Sequence, residues 1–188
     1  MNKLTLQILP GFFLTAAAAI LLIPLPWLVA WSLAAAIHEA FHLLALILFR
    51  YPVRSVTIGS GGAVIEADVP PTGKMALCAL AGPAGGLLLT VLMHIAPRIA
   101  LCGLIQSLYN LLPLCHLDGG RALYGFLLTF SNTITVEKIT LFVERIIIFL
   151  LIIAALYAFF VLKLGMIPLV FVAVLLFKNK KSLAKRVP

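Results

Sequence analysis

Charge is scarce in this chain. Asp, Glu, Lys and Arg together make up 11% of its 188 residues, where an ordinary soluble domain carries about a quarter. The hydrophobic share is 63%, and a water-soluble fold of this length could not hide that much apolar side chain. A soluble enzyme, a disordered tail and a nucleic-acid module are therefore excluded. Negative charge is scarcest, with 6 Asp and Glu against 14 Lys and Arg and a net charge of +8. That excess does not point to nucleic acid, because the basic residues form no aromatic-interleaved patch. Lys178, Lys180, Lys181, Lys185 and Arg186 instead follow an apolar run, the pattern of a cytoplasmic flank on a membrane helix. Cysteine is also sparse. Cys78, Cys102 and Cys115 are odd in number and lie in or beside apolar runs, so no disulfide framework is expected. Internal repeats and low-complexity segments are lacking, and the length suits one domain, residues 1–188.

What the chain has is long apolar runs. A membrane helix needs about 20 such residues to cross ~30 Å of hydrocarbon. Runs from about Leu6 to Ile23, Trp27 to Phe49, Met75 to Ile95, Arg98 to Leu114, Thr140 to Leu162 and Gly165 to Phe177 give six expected spans. The first is not read as a cleavable signal peptide, since only Lys3 precedes it and the apolar sequence continues past Pro24 and Pro26. Between the second and third runs, residues 53–69 alternate in polarity around Gly59, Gly61 and Gly62, which predicts a β-hairpin. The fold class expected is an all-α polytopic membrane protein with about six transmembrane helices and that small hairpin. Six spans put both termini on one side, with Arg50, Arg54, Lys74, Arg121, Lys138 and the basic tail together and only Arg98 and Lys163 opposite. The bias places both termini in the cytoplasm.

The second run contains His38-Glu39-Ala40-Phe41-His42, an H-E-x-x-H pattern. Four residues are slightly more than one helical turn, so both imidazoles project from one face, about 6 Å apart along the axis. Two such rings can grip one zinc ion, with Glu39 beside them to take a proton from water. An ionisable side chain within lipid costs about 2.5 kcal/mol or more, so three in one apolar helix demand a polar partner. The alternative is a proton or metal pathway, that is, a transporter. A catalytic zinc site needs a third protein ligand. Asp118, in Leu117-Asp118-Gly119-Gly120, is the best candidate, its glycines allowing a sharp turn; it could also cap the helix that begins near Arg121. Asn110 could satisfy backbone freed around Pro113, or donate to a developing oxyanion.

His38-Glu39-Ala40-Phe41-His42, followed by Asn110-x-x-Pro113-x-x-x-Leu117-Asp118-Gly119, resembles the site-2 protease family of intramembrane zinc metalloproteases. The likeness covers a core of about residues 27–120. It implies His38, His42 and Asp118 as zinc ligands, Glu39 as general base and Asn110 as a supporting site residue. The short chain looks most like the stage IV sporulation protein FB branch, without a CBS or PDZ domain. The resemblance implies hydrolysis of a peptide bond in or near the membrane segment of a tethered protein. It also implies a lipid bilayer as environment, a membrane-protein regulator as a further partner, and residence in a bacterial cytoplasmic membrane. The hairpin would then add a strand to the extended substrate, or serve as a plain cytoplasmic loop. Cys115 and His116 lie close enough to Asp118 to line the site or touch the metal. Glu144 is expected to pair with Lys138 or Arg145, and His94 to be interfacial.

Overall fold

A computed structural model describes residues 5–59, 62–70 and 72–183. Ser60 and Gly61 of the hairpin turn, Pro71, and Lys185 and Arg186 of the basic tail lie outside the described residues. The order is strand β1 (Thr5–Ile8), helices α1 (Pro10–Leu22) and α2 (Leu25–Leu48), strands β2 (Val53–Gly59) and β3 (Gly62–Ala67), then five further helices. These are α3 (Gly73–Leu88, continued by a 3-10 turn over Leu89–His94), α4 (Pro97–Asn110), α5 (Asp118–Leu127), α6 (Thr133–Phe160) and α7 (Ile167–Leu183).

Prolines set several of the starts. Pro10 opens α1, Pro26 sits in the first turn of α2 and Pro97 opens α4, where a missing N–H costs nothing. Helix α6 is started by Asn132, whose side chain accepts from the Thr135 N–H at 2.9 Å.

Three of these helices, Leu25–Leu48, Gly73–His94 and Thr133–Phe160, are long and apolar enough to cross a membrane. Six were expected. Helix α1 has 13 residues and α4 has 14, only about 20 Å at 1.5 Å per residue. The first apolar run is shorter as a helix than it looks because its start is a strand. β1 lies parallel to β2 (Thr5 beside Ser55, Ile8 beside Ile58). β2 pairs antiparallel with β3 from Ser55–Glu66 to Gly59–Gly62, as the hairpin expectation required. The fold is thus mostly helical with a three-stranded sheet, not purely α. The Leu6/Ile8 alternation with Thr5 and Gln7 was the available signal for β1.

Burial runs opposite to a soluble protein. Leu21, Ile95 and Ile167 are 84%, 83% and 78% exposed, while the interior is built largely from Ala30, Ala34, Ala76, Ala79, Ala100 and Ala122. Small residues let helix backbones approach closely where lipid offers no hydrophobic drive between helices. At the α3–α4 crossing a Cβ on Gly103 would lie 2.6 Å from the Gly86 carbonyl. Ser107, fully buried beside it, donates to the Pro83 carbonyl at 2.9 Å. The result is a tight α2–α3–α4–α5 core with large apolar side chains facing out.

Candidate metal centre

Helix α2 presents His38, Glu39 and His42 to the core, one turn apart as the spacing requires. Helix α3 crosses it at Gly82 and Cys78. Helix α5 begins at Asp118 and aims that carboxylate back at α2. His38 Nε2 lies 3.0 Å and His42 Nε2 3.2 Å from Asp118 Oδ2, and the two ring nitrogens are 3.2 Å apart. Among the described residues these three form the group whose ligand atoms could share one metal ion.

The donor set fits zinc. His42 Nδ1 donates to the Cys78 carbonyl at 2.8 Å. With that nitrogen carrying the proton, the neutral ring turns the Nε2 lone pair inward, the usual outer-shell device of a metal-binding histidine. The three atoms lie close enough to share one cation, whether a metal ion or a ring proton. The space is kept open by a missing side chain: a Cβ at Gly82 would lie 2.7 Å from His38 Nε2 and closer still to His42 Nε2. His38 Nδ1 is buried and has no hydrogen-bond partner among the described residues.

A cavity of about 640 Å³ opens over the cluster. Glu39 and Asn110 stand in its wall beside the three ligand candidates, with Arg121, His116 and most of strand β3. The Asn110 side chain makes no hydrogen bond to the backbone around Pro113 among the described residues. Asp118 is not a helix cap: Leu117 holds that position and no side chain bonds there. Gly119 and Gly120 do not make a sharp turn either. Neither has positive φ, and both let the first turn of α5 press onto the backbone of Leu111 and Leu114. Their value is close approach, not flexibility.

Other candidates fall elsewhere. Cys115 donates its thiol to Asn179 Oδ1 at 3.1 Å, and His116 Nδ1 lies 3.2 Å from the same atom. Neither belongs to the metal group among the described residues. Glu144 is buried, and its partner is Asn179, not Lys138 or Arg145. His94 is exposed at the end of its 3-10 turn. Sequence reasoning missed Asn179, the role of Gly82, and the backbone of Cys78. Only Asn179 left a trace, as a polar residue one turn after the buried Leu175.

No family model matches the chain, and no curated protein matches it in sequence. In structure it is similar to the site-2 protease from Methanocaldococcus jannaschii, with a TM-score of 0.64 and 16% identity, over 97% of this chain and 92% of that one. The likeness does not single out the sporulation branch. It spans nearly the whole chain, beyond the core of about residues 27–120 that the motifs cover, and the chain has the site-2 protease fold.

Proposed function

We propose that this protein is an intramembrane zinc metalloprotease that cuts a peptide bond in or near the transmembrane segment of a membrane-tethered protein. The observation that carries the reading is the convergence of His38, His42 and Asp118 on one point inside an apolar helical core. His38 Nε2, His42 Nε2 and the Asp118 carboxylate would hold the ion. When bound, zinc supplies Lewis acidity at the scissile carbonyl and a nucleophile at neutral pH.

The chain's own residues do the rest. Glu39, next to His38 and in the cavity wall, accepts the proton of the attacking water and passes it to the leaving amine. Asn110, in the same wall, donates to the developing oxyanion. A transmembrane helix hides its carbonyls, so the substrate unwinds before attack. β3 is an edge strand of the sheet and lines the cavity. Its free edge offers main-chain hydrogen bonds to the extended segment. Counting from Arg50 at 1.5 Å per residue, His42 sits about 12 Å and His38 about 18 Å along α2. The reaction centre then lies within the bilayer, nearer the face at which Arg50 stands and from which water enters. We assign that face to the cytoplasm, the whole chain to a single domain, and the membrane to a bacterial cell.

The test is Glu39→Gln in purified protein given a membrane-tethered substrate. Cleavage is abolished while zinc content and folding are kept. Undiminished cleavage by a clean Glu39→Gln preparation overturns the mechanism. Metal or proton flux in proteoliposomes without any proteolysis replaces it with a transporter.

A further inference from the structure

The last two helices reach the metal centre through a buried polar bridge that neither the zinc chemistry nor the fold resemblance accounts for. Glu144 on α6 and Asn179 on α7 are 4% and 2% exposed. Asn179 donates from Nδ2 to Glu144 Oε1. Its Oδ1 in turn receives the Cys115 thiol at 3.1 Å and the His116 Nδ1–H at 3.2 Å. Each element of the bridge is held in register by apolar neighbours on its own face. Leu175, one turn before Asn179, packs with Leu114 and Leu117, and Ile147, Ile148 and Leu151, on the Glu144 face of α6, pack against the same cluster.

Cys115 and His116 belong to the short segment between α4 and α5, and Asp118 is two residues beyond His116. Within the segment the Leu114 N–H reaches the Leu112 carbonyl and the Leu117 N–H the Leu114 carbonyl. A non-helical stretch buried among apolar helices needs its geometry imposed from outside. One amide that accepts from two adjacent residues imposes it, and a carboxyl group behind that amide fixes which way the amide faces.

We infer that Asn179 and Glu144 are positioning residues: through Cys115 and His116 they hold the segment that delivers Asp118, so the seating of α6 and α7 sets how tightly the His38–His42–Asp118 cluster binds its metal. The inference rests on the metalloprotease reading. It adds that helices outside the catalytic core control the strength of the site.

The experiment measures zinc affinity of the detergent-purified full chain by competition with a chelator, alongside the melting temperature of the metal-free protein. Asn179→Leu keeps the branched shape and removes the bridge; zinc binding weakens about tenfold, the lower end of what loss of outer-shell support costs. Glu144→Gln keeps an acceptor oxygen for Asn179 and stays within about threefold of wild type. Val136→Ala trims a fully buried side chain of α6 that is no part of the Leu114–Leu117–Leu175 cluster, so it lowers the melting temperature while zinc affinity stays close to wild type. Unchanged affinity in Asn179→Leu, with binding lost in Asp118→Ala, overturns the bridge alone. Equal weakening in Val136→Ala and Asn179→Leu also overturns it, since general loosening then suffices. Binding retained in Asp118→Ala overturns the parent reading instead. If Asn179→Leu does not fold, Glu144→Leu takes its place under the same outcomes.

Discussion

His38 and Asp118 are 80 residues apart in sequence, and their side chains meet at 3.0 Å between Nε2 and Oδ2. The contact joins the middle of α2 to the first residue of α5, with His42 one turn further on in reach of the same oxygen. No solvated surface pair is held this way. Here the surrounding alanines and glycines bring the backbones close, and the polar atoms have one another as partners.

On the proposed metalloprotease reading, Asp118 controls metal retention. Asp118→Ala leaves two imidazoles and an open corner, and zinc affinity falls by at least about a hundredfold, beyond what loss of an outer-shell partner costs. Metal analysis after dialysis reads this directly. Stripping zinc from the wild-type chain with a chelator abolishes cleavage, and added zinc restores it.

Gly82 is the second control. Alanine there places a Cβ 2.7 Å from His38 Nε2 and nearer to His42 Nε2, so one ring must swing away. Gly82→Ala loses zinc and activity together and costs about 1–3 kcal/mol of stability. A zinc-loaded, active Gly82→Ala protein would contradict the packing of α3 on α2 described above.

Ser107 separates stability from chemistry. Its hydroxyl is buried and donates to the Pro83 carbonyl, and it is no part of the His38–His42–Asp118 group. Ser107→Ala removes a second hydrogen bond to a carbonyl that lies inside α3 and costs about 0.5–1.5 kcal/mol. Thermal unfolding in detergent registers the loss, while zinc stoichiometry stays that of the wild type.

Much of this was legible in the residues themselves. The apolar runs marked α2, α3 and α6 because a span needs only length and hydrophobicity, both local properties. The hairpin showed in its alternation and its glycines. His38, Glu39 and His42 were legible because a helical turn converts spacing into a shared face. β1 left only a four-residue alternation, because its partner β2 lies some fifty residues away and parallel pairing leaves no turn to read. The expected length of α1 erred with it.

The limits at the centre have the same origin. Asp118 stood out as a carboxylate in an apolar chain, yet its distance to His38 depends on how α5 packs. Glycines 119 and 120 read as a turn and proved to be a contact surface. Asn179 drew no reading at all, and Glu144 read as a local ion-pair partner. They face each other only because α6 and α7 lie side by side.

The sequence by itself determined a membrane-embedded helical protein and a pair of histidines flanking a glutamate on one helical face, since hydropathy and the 3.6-residue turn act over neighbouring residues. Only the tertiary structure decided that a carboxylate from a distant helix closes on that pair, that a missing Cβ on α3 leaves room there, and that α7 reaches the loop beside it. Those outcomes depend on the approach of separate helices, and small-residue packing sets that approach through many weak contacts spread along the chain.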